Sequence, residues 1–429
     1  MFLSFRIISA SFLIFLALGG IYGWSFFIPA LQNKYLLSST QTQSIFGATI
    51  AVYSLIMILV GRFFMRLGTV KLGIISGLLF MAGYALASFS QGEFWLLFTG
   101  ISILVGTGIS FGYVSTLSHC VRSFPDKQGL VSGIILSGFG GGAILLSLIV
   151  EPLLSRGTDV LEVFRVIALT NGGLILISSL MLFKSKSQDE IAQTESQVEF
   201  RNLQDAASSQ FDANSLWRDK RFWGLFIGML TGCFAGFVVI GVLKPLGLSI
   251  GLKNILASLV VSIVSLGNIS GRLVWGAAAD WAQKQGWGIW QITLSLGLMA
   301  LLLLLLSFAL NSSTSQNAAF FLGLSALIGF VYGSNFVIYL NRAGHYYGFK
   351  CVEIVYPLIL VAQAFSALIG PLISGVLIDF TGNYFASIVF ASLIALLGSF
   401  LSTYLLTQGV LAHRSAIPSK DAYPFIRHI

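Results

Sequence analysis

Twelve apolar runs, each close to the roughly 20 residues a helix needs to cross a hydrocarbon layer, follow one another along this chain and leave little room for anything else. They fall near residues 7–29, 44–64, 72–90, 95–117, 129–150, 163–183, 222–243, 254–278, 288–310, 318–340, 352–376 and 384–407. The layer holds no water, so every backbone N–H and C=O must find its partner within the segment, and runs of this length predict helices. A membrane β-barrel would show shorter segments of alternating polarity instead. The balance of the 429 residues agrees, with 56% hydrophobic and 9% charged, against about 25% charged in a soluble domain. A water-soluble enzyme is excluded. The predicted fold class is an all-α membrane protein with twelve transmembrane helices in two six-helix bundles.

The division into two comes from a break in the pattern. From Lys184 to Lys220 the chain turns polar and charged (KSKSQDEIAQTESQVEF, then RNLQDAASSQFDANSLWRDK), which fits a solvated linker and not a span. The expected organisation is an N-terminal bundle over 1–183, a linker over 184–220, a C-terminal bundle over 221–410 and a tail over 411–429. Two groups of six about a polar loop suggest duplicated halves, between which membrane carriers bind their cargo. With twelve crossings, 18 of the 24 Lys and Arg fall on the side of the termini and linker, 5 on the other, and Arg272 lies inside a helix. By the positive-inside rule both termini and the linker are cytoplasmic, in the cell (inner) membrane.

The net charge of +8 has the same origin: the basic residues stand singly between apolar runs and form no stripe for nucleic acid. Cys120, Cys233 and Cys351 are too far apart for a metal or disulfide framework. The first run is long for a signal peptide and lacks a small-residue cleavage site, so it is read as a retained helix. Glycines cluster within helices, as in Gly106, Gly108 and Gly112 or Gly138, Gly140, Gly141 and Gly142. Such small residues let helix backbones approach closely, and the same positions are candidates for hinges or a cavity wall. No Ser-His-Asp arrangement, metal-ligand cluster or phosphate loop is present, so no enzyme activity, cofactor, metal or ATP drive is expected.

Two segments place the chain more narrowly. GRLVWGAAAD (Gly271 to Asp280) closes the eighth run and GRFFMRLGTVK (Gly61 to Lys71) closes the second. They resemble the two copies of the major facilitator superfamily loop signature, Gly-x-x-x-Asp-Arg-x-Gly-Arg-Arg. Gly276 and Asp280 match the C-terminal copy, with Trp281 in place of Arg; Gly61, Arg66 and Gly68 match the N-terminal copy, with Met65 in place of Asp. YGWSFFIPAL (Tyr22 to Leu31), GTGISFGY (Gly106 to Tyr113), FPDKQGLVSGIILSGFGGG (Phe124 to Gly142), FWGLF (Phe222 to Phe226) and GPLISGVLIDFTGNY (Gly370 to Tyr384) are similar to the oxalate/formate antiporter and monocarboxylate transporter branch. Asp126 and Asp379 lie in these stretches and, with the signature residues, are the gating or structural candidates. The resemblance implies a secondary carrier of a small organic anion, working by alternating access, with a monomer as the default state. A carrier of a larger compound, such as a siderophore, drug or peptide-like metabolite, and a membrane sensor that no longer transports are the competing readings.

Arg272 carries most of the chemical argument. A charged side chain at such depth is costly unless paired or hydrated, and a guanidinium presents paired planar donors that match a carboxylate. It also matches the eighth-helix Arg that binds substrate carboxylate in the resembled carriers. The competing reading is a structural pair with Asp280 or Glu353, or snorkelling to the interface. Gln363 matches the eleventh-helix position where oxalate carriers have a second base, and its neutral amide argues against a dianion. Tyr22, Trp24, Tyr53, Tyr113, Asn268, Tyr332, Asn335 and Tyr339 bring polar tips into helices that line the cavity in the superfamily; of these, Tyr22, Trp24, Tyr113, Asn268, Tyr332 and Asn335 join Arg272 and Gln363 as the expected substrate-binding set. Any one of them also fits plain packing or an interfacial belt. A co-transported ion would need an intramembrane acid, and only Glu353 and Glu151 stand near enough to helix interiors to be candidates, with capping or salt bridging as the alternative.

Overall fold

The computed structural model describes residues 2–124, 128–182, 213–310 and 318–416. Twelve helices among them are long and apolar enough to span a membrane. They are α1 (Phe5–Phe26), α2 (Ser39–Val60), α3 (Leu67–Ser88), α4 (Phe94–Ser123), α5 (Val131–Ser155), α6 (Val160–Met181), α7 (Lys220–Ser249), α8 (Asn254–Gln283), α9 (Gly288–Leu310), α10 (Ala318–Tyr347), α11 (Val355–Thr381) and α12 (Phe385–Ala412). No strand occurs among the described residues. Asp126 lies outside the described residues, as do the side-chain positions of Gly61, Arg66 and Glu353 and most of the linker and tail.

An even number of crossings puts the start of α1, the end of α6, the start of α7 and the end of α12 on one face, called here the linker face; the opposite face is the distal face. Several helices run further than the apolar runs suggested. The seventh continues to Ser249 through Lys244 and Pro245, and the tenth continues to Tyr347 through Arg342. A single polar residue ends a hydropathy run but does not end a helix when its side chain finds a partner inside the protein.

Two helices change winding part-way along their length. The stretch Gly19–Phe26 in α1 tightens into a 3-10 turn with all eight residues buried. It lies against the glycine cluster of α5, where a Cβ on Gly142 would collide with the Gly19 backbone. In α4 the segment Phe98–Val105 widens into a π-helix. At the start of α3 the chain kinks at Gly68, whose φ of 74° no L side chain adopts readily; this is a glycine of the N-terminal loop signature.

Candidate functional site

Helices α8 and α10 meet through two matched glycine pairs, Gly267 and Gly271 on one and Gly329 and Gly333 on the other. A Cβ on Gly271 would collide with the Phe330 carbonyl, and one on Gly329 with that of Val264. Small residues four apart on both helices bring the backbones together, and this contact builds the surroundings of Arg272. The Arg272 Nε donates to Asn268 Oδ1, one turn earlier on α8, at 2.8 Å. Its guanidinium carbon stands 4.6 Å from the ring centroid of Phe336 on α10, a cation–π contact. Phe336 is in turn backed by α11, where the Tyr356 hydroxyl donates to the Phe336 carbonyl at 3.1 Å.

The guanidinium is thereby held in one plane from two sides, while its two terminal nitrogens make no hydrogen bond or ion pair among the described residues. Asp280 is engaged elsewhere: it is exposed and accepts from the Asn341 amide at 3.0 Å, tying the end of α8 to that of α10. Arg272 is half-buried, and its charge reaches Tyr22, Tyr113, Tyr356 and Cys233.

Aromatic and amide groups from both halves converge beside it. Phe139 of α5 is the hub, with its ring centroid 5.5 Å from those of Tyr22 and Tyr113 and 6.2 Å from that of Tyr53. Tyr22 lies edge-on to Tyr332 of α10 at 6.4 Å. Gln363 of α11 donates to the Tyr53 hydroxyl of α2 at 2.9 Å, a buried hydrogen bond between the two halves. Asn335 is buried facing Gly232 of α7, where a Cβ would collide with its amide oxygen, and Tyr339 is buried one turn further on, beside Gly228. Trp24 stands apart from this group. Its indole N–H donates to the Thr42 carbonyl at 2.9 Å, which commits its only donor to the packing of α1 against α2.

Sequence reasoning singled out Arg272, Asn268, Tyr22, Tyr53, Tyr113, Tyr332 and Gln363, which the fold brings into one region, but missed Phe336, Phe139 and Tyr356. A signal for Phe336 existed: it follows Tyr332 by four residues and so shares its helix face.

At the distal face the halves are fastened together. The Lys244 ammonium of α7, almost fully buried, donates to Glu151 of α5 at 2.6 Å. Asp379, at the end of α11, accepts from the Ser39 and Thr40 backbone N–H groups, both at 2.8 Å, and from the Thr40 hydroxyl at 2.6 Å. It thus caps the start of α2 from across the boundary, where a negative charge is favoured by the helix dipole. Gln43 adds a bond to the Gly241 carbonyl at 3.0 Å. Within the N-terminal half, Lys34 and Tyr35 both bond Asp159. Burial would raise the Asp159 pKa, but these bonds and the Leu161 N–H hold it below the usual carboxylate range.

The family model of the Major Facilitator Superfamily matches residues 10–356. The chain belongs to this superfamily. Major facilitator proteins similar to it include the uncharacterized MFS-type transporter YhjX of Escherichia coli, 28% identical over 334 residues that cover 77% of this chain and 78% of that one. The oxalate:formate antiporter of Oxalobacter formigenes is 28% identical over 178 residues, 41% of this chain and 40% of the relative. Among solved structures, a partially occluded inward-open conformation of the xylose transporter XylE from E. coli shares the fold, with a TM-score of 0.66 and 14% identity over 97% of this chain and 98% of that one. As a major facilitator protein with twelve apolar helices, the chain is a multi-pass integral membrane transporter.

Proposed function

We propose that the protein is a secondary carrier that moves a small organic monoanion across the cell (inner) membrane by alternating access, with both termini cytoplasmic and exchange as the favoured mode. The single observation that carries this reading is the Arg272 guanidinium, oriented by Asn268 and Phe336 with its terminal nitrogens unengaged among the described residues. A carboxylate accepting from both terminal nitrogens completes the guanidinium. Around that point stand neutral groups, the Tyr22, Tyr53, Tyr113 and Tyr332 hydroxyls and the Gln363 amide. They can bond the rest of the cargo but cannot balance a second negative charge.

The direction of coupling follows from the cost of enclosing charge. Closing both faces around an empty site would desolvate a bare guanidinium, whereas a bound anion supplies its partner before closure. Loaded carrier therefore reorients readily and empty carrier slowly, which favours exchange over net flux. The test is counterflow into proteoliposomes preloaded with individual carboxylates. Monocarboxylates should accelerate uptake of labelled monocarboxylate well beyond what oxalate achieves. Retained carboxylate binding with no flux for any member of the panel would favour the sensor reading, and preference for oxalate would refute the one-cation argument.

Asn268→Ala tests the orienting contact. Hydrogen bonds to charged groups contribute about 1.5–3 kcal/mol, so losing the one to Nε should raise the half-saturating concentration by about tenfold or more, with the maximal exchange rate changed less. An unchanged half-saturation would show that Asn268 does not set the guanidinium plane.

A further inference from the structure

Arg342 lies near the linker-face end of α10 and is 3% exposed. Its Nη1 donates to Gln283 Oε1 at the end of α8, but Nε and Nη2 have no acceptor. Two described acids on the neighbouring helix ends are engaged elsewhere. Asp280 is exposed and receives the Asn341 amide, and Asp219, before α7, is held by Arg221 at 2.8 Å and by the Tyr347 hydroxyl at 3.0 Å. No ion pair involves Arg342 among the described residues.

The guanidinium also sits against Gly288, the first residue of α9, so closely that a Cβ there would collide with Nη1. A 23-residue helix begins at that point, and its first-turn N–H groups carry the positive end of the helix dipole. A buried cation is thus placed against a positive helix end, with two donor nitrogens left over. Each feature alone invites an anion, and together they repel each other until one is supplied. Trp281, Trp287 and Trp290 are all exposed around this corner, as aromatic side chains are at the level of lipid headgroups.

We propose that the corner formed by the end of α8, the start of α9 and the end of α10 binds a phosphate-class oxyanion through Arg342 Nε and Nη2 and the first turn of α9. The phosphate comes from an anionic lipid headgroup or from solution. This site is separate from Arg272, and binding there ties together three helix ends on the linker face of the C-terminal half.

The experiment uses the full chain and reads thermal stability. Wild type, Arg342→Gln and Arg272→Gln are compared in nanodiscs of phosphatidylcholine with and without phosphatidylglycerol, and in detergent with and without millimolar inorganic phosphate. A rise of several degrees in Tm is expected for wild type and Arg272→Gln and not for Arg342→Gln. A rise with phosphatidylglycerol alone assigns the lipid source, and a rise with inorganic phosphate assigns the free ion. No rise in wild type under either condition, or an equal rise in Arg342→Gln, overturns the proposal. If Arg342→Gln does not fold, native mass spectrometry of wild type decides: preferential retention of phosphatidylglycerol or phosphate over phosphatidylcholine supports the site, and its absence refutes it.

Discussion

Replacing Glu151 by Gln is expected to release the distal face. The Lys244 ammonium is almost fully buried between α5 and α7, and its ionic partner is the Glu151 carboxylate at 2.6 Å. An amide keeps the shape and one acceptor but leaves the charge uncompensated, which for a buried pair costs about 3–5 kcal/mol. The cost falls on the closed arrangement alone, because parting α5 from α7 hydrates Lys244. At about 1.4 kcal/mol per tenfold change, the closed-to-open ratio should fall by at least about a hundredfold, against which the Asp379 cap and the Gln43 bond still act. Electron–electron resonance between labels at Leu36 and Ile255, both exposed near the distal ends of opposite halves, should show a longer-distance population in Glu151→Gln. The charge exchange Glu151→Lys with Lys244→Glu should return the distribution toward wild type. Identical distributions in wild type and Glu151→Gln would mean the pair does not hold the gate.

Arg272→Gln is expected to have the second large effect, on transport instead of on the resting orientation. A carboxylate bound to both terminal nitrogens would lose two charge-assisted hydrogen bonds, each worth about 1.5–3 kcal/mol, so exchange at subsaturating cargo should fall by two orders of magnitude or more. Arg272→Lys keeps the charge but replaces a planar fork with a point charge, and it too should lose most of the exchange. The fold should survive both changes, because Arg272 contributes one hydrogen bond and one ring contact to packing, so unfolding temperatures should stay near wild type. Unaltered exchange kinetics in both variants would remove Arg272 from the site.

The two predictions draw on residues of very different legibility. Arg272 stands out in the sequence as a lone charge deep in an apolar run, because the penalty for burying it depends only on its own surroundings along the helix. Lys244 looks like a loop residue, since it follows the apolar stretch of α7 and its partner Glu151 is 93 positions away. A longer separation hides Asp379, which reads as a helix-end acid and in the fold caps a helix that begins 340 residues earlier. Gly68 was visible through its motif, and the fold supplies the reason in its positive φ. Phe139 was not visible among 36 phenylalanines, and Phe336 was marked only by its place four residues after Tyr332, because little that is local separates a ring lying near a guanidinium from one that faces lipid.

Span number, helix class and the presence of one misplaced cation could be read along the chain because transfer of a segment from water to hydrocarbon is nearly a sum over its own residues. Which side chains hold that cation, which acids are already engaged and which face is fastened shut emerged only from the packed molecule. Those properties depend on contacts between helices, through glycine pairs within a half and through ring edges, hydrogen bonds and charges across the boundary of the two halves, at distances that no stretch of sequence encodes alone.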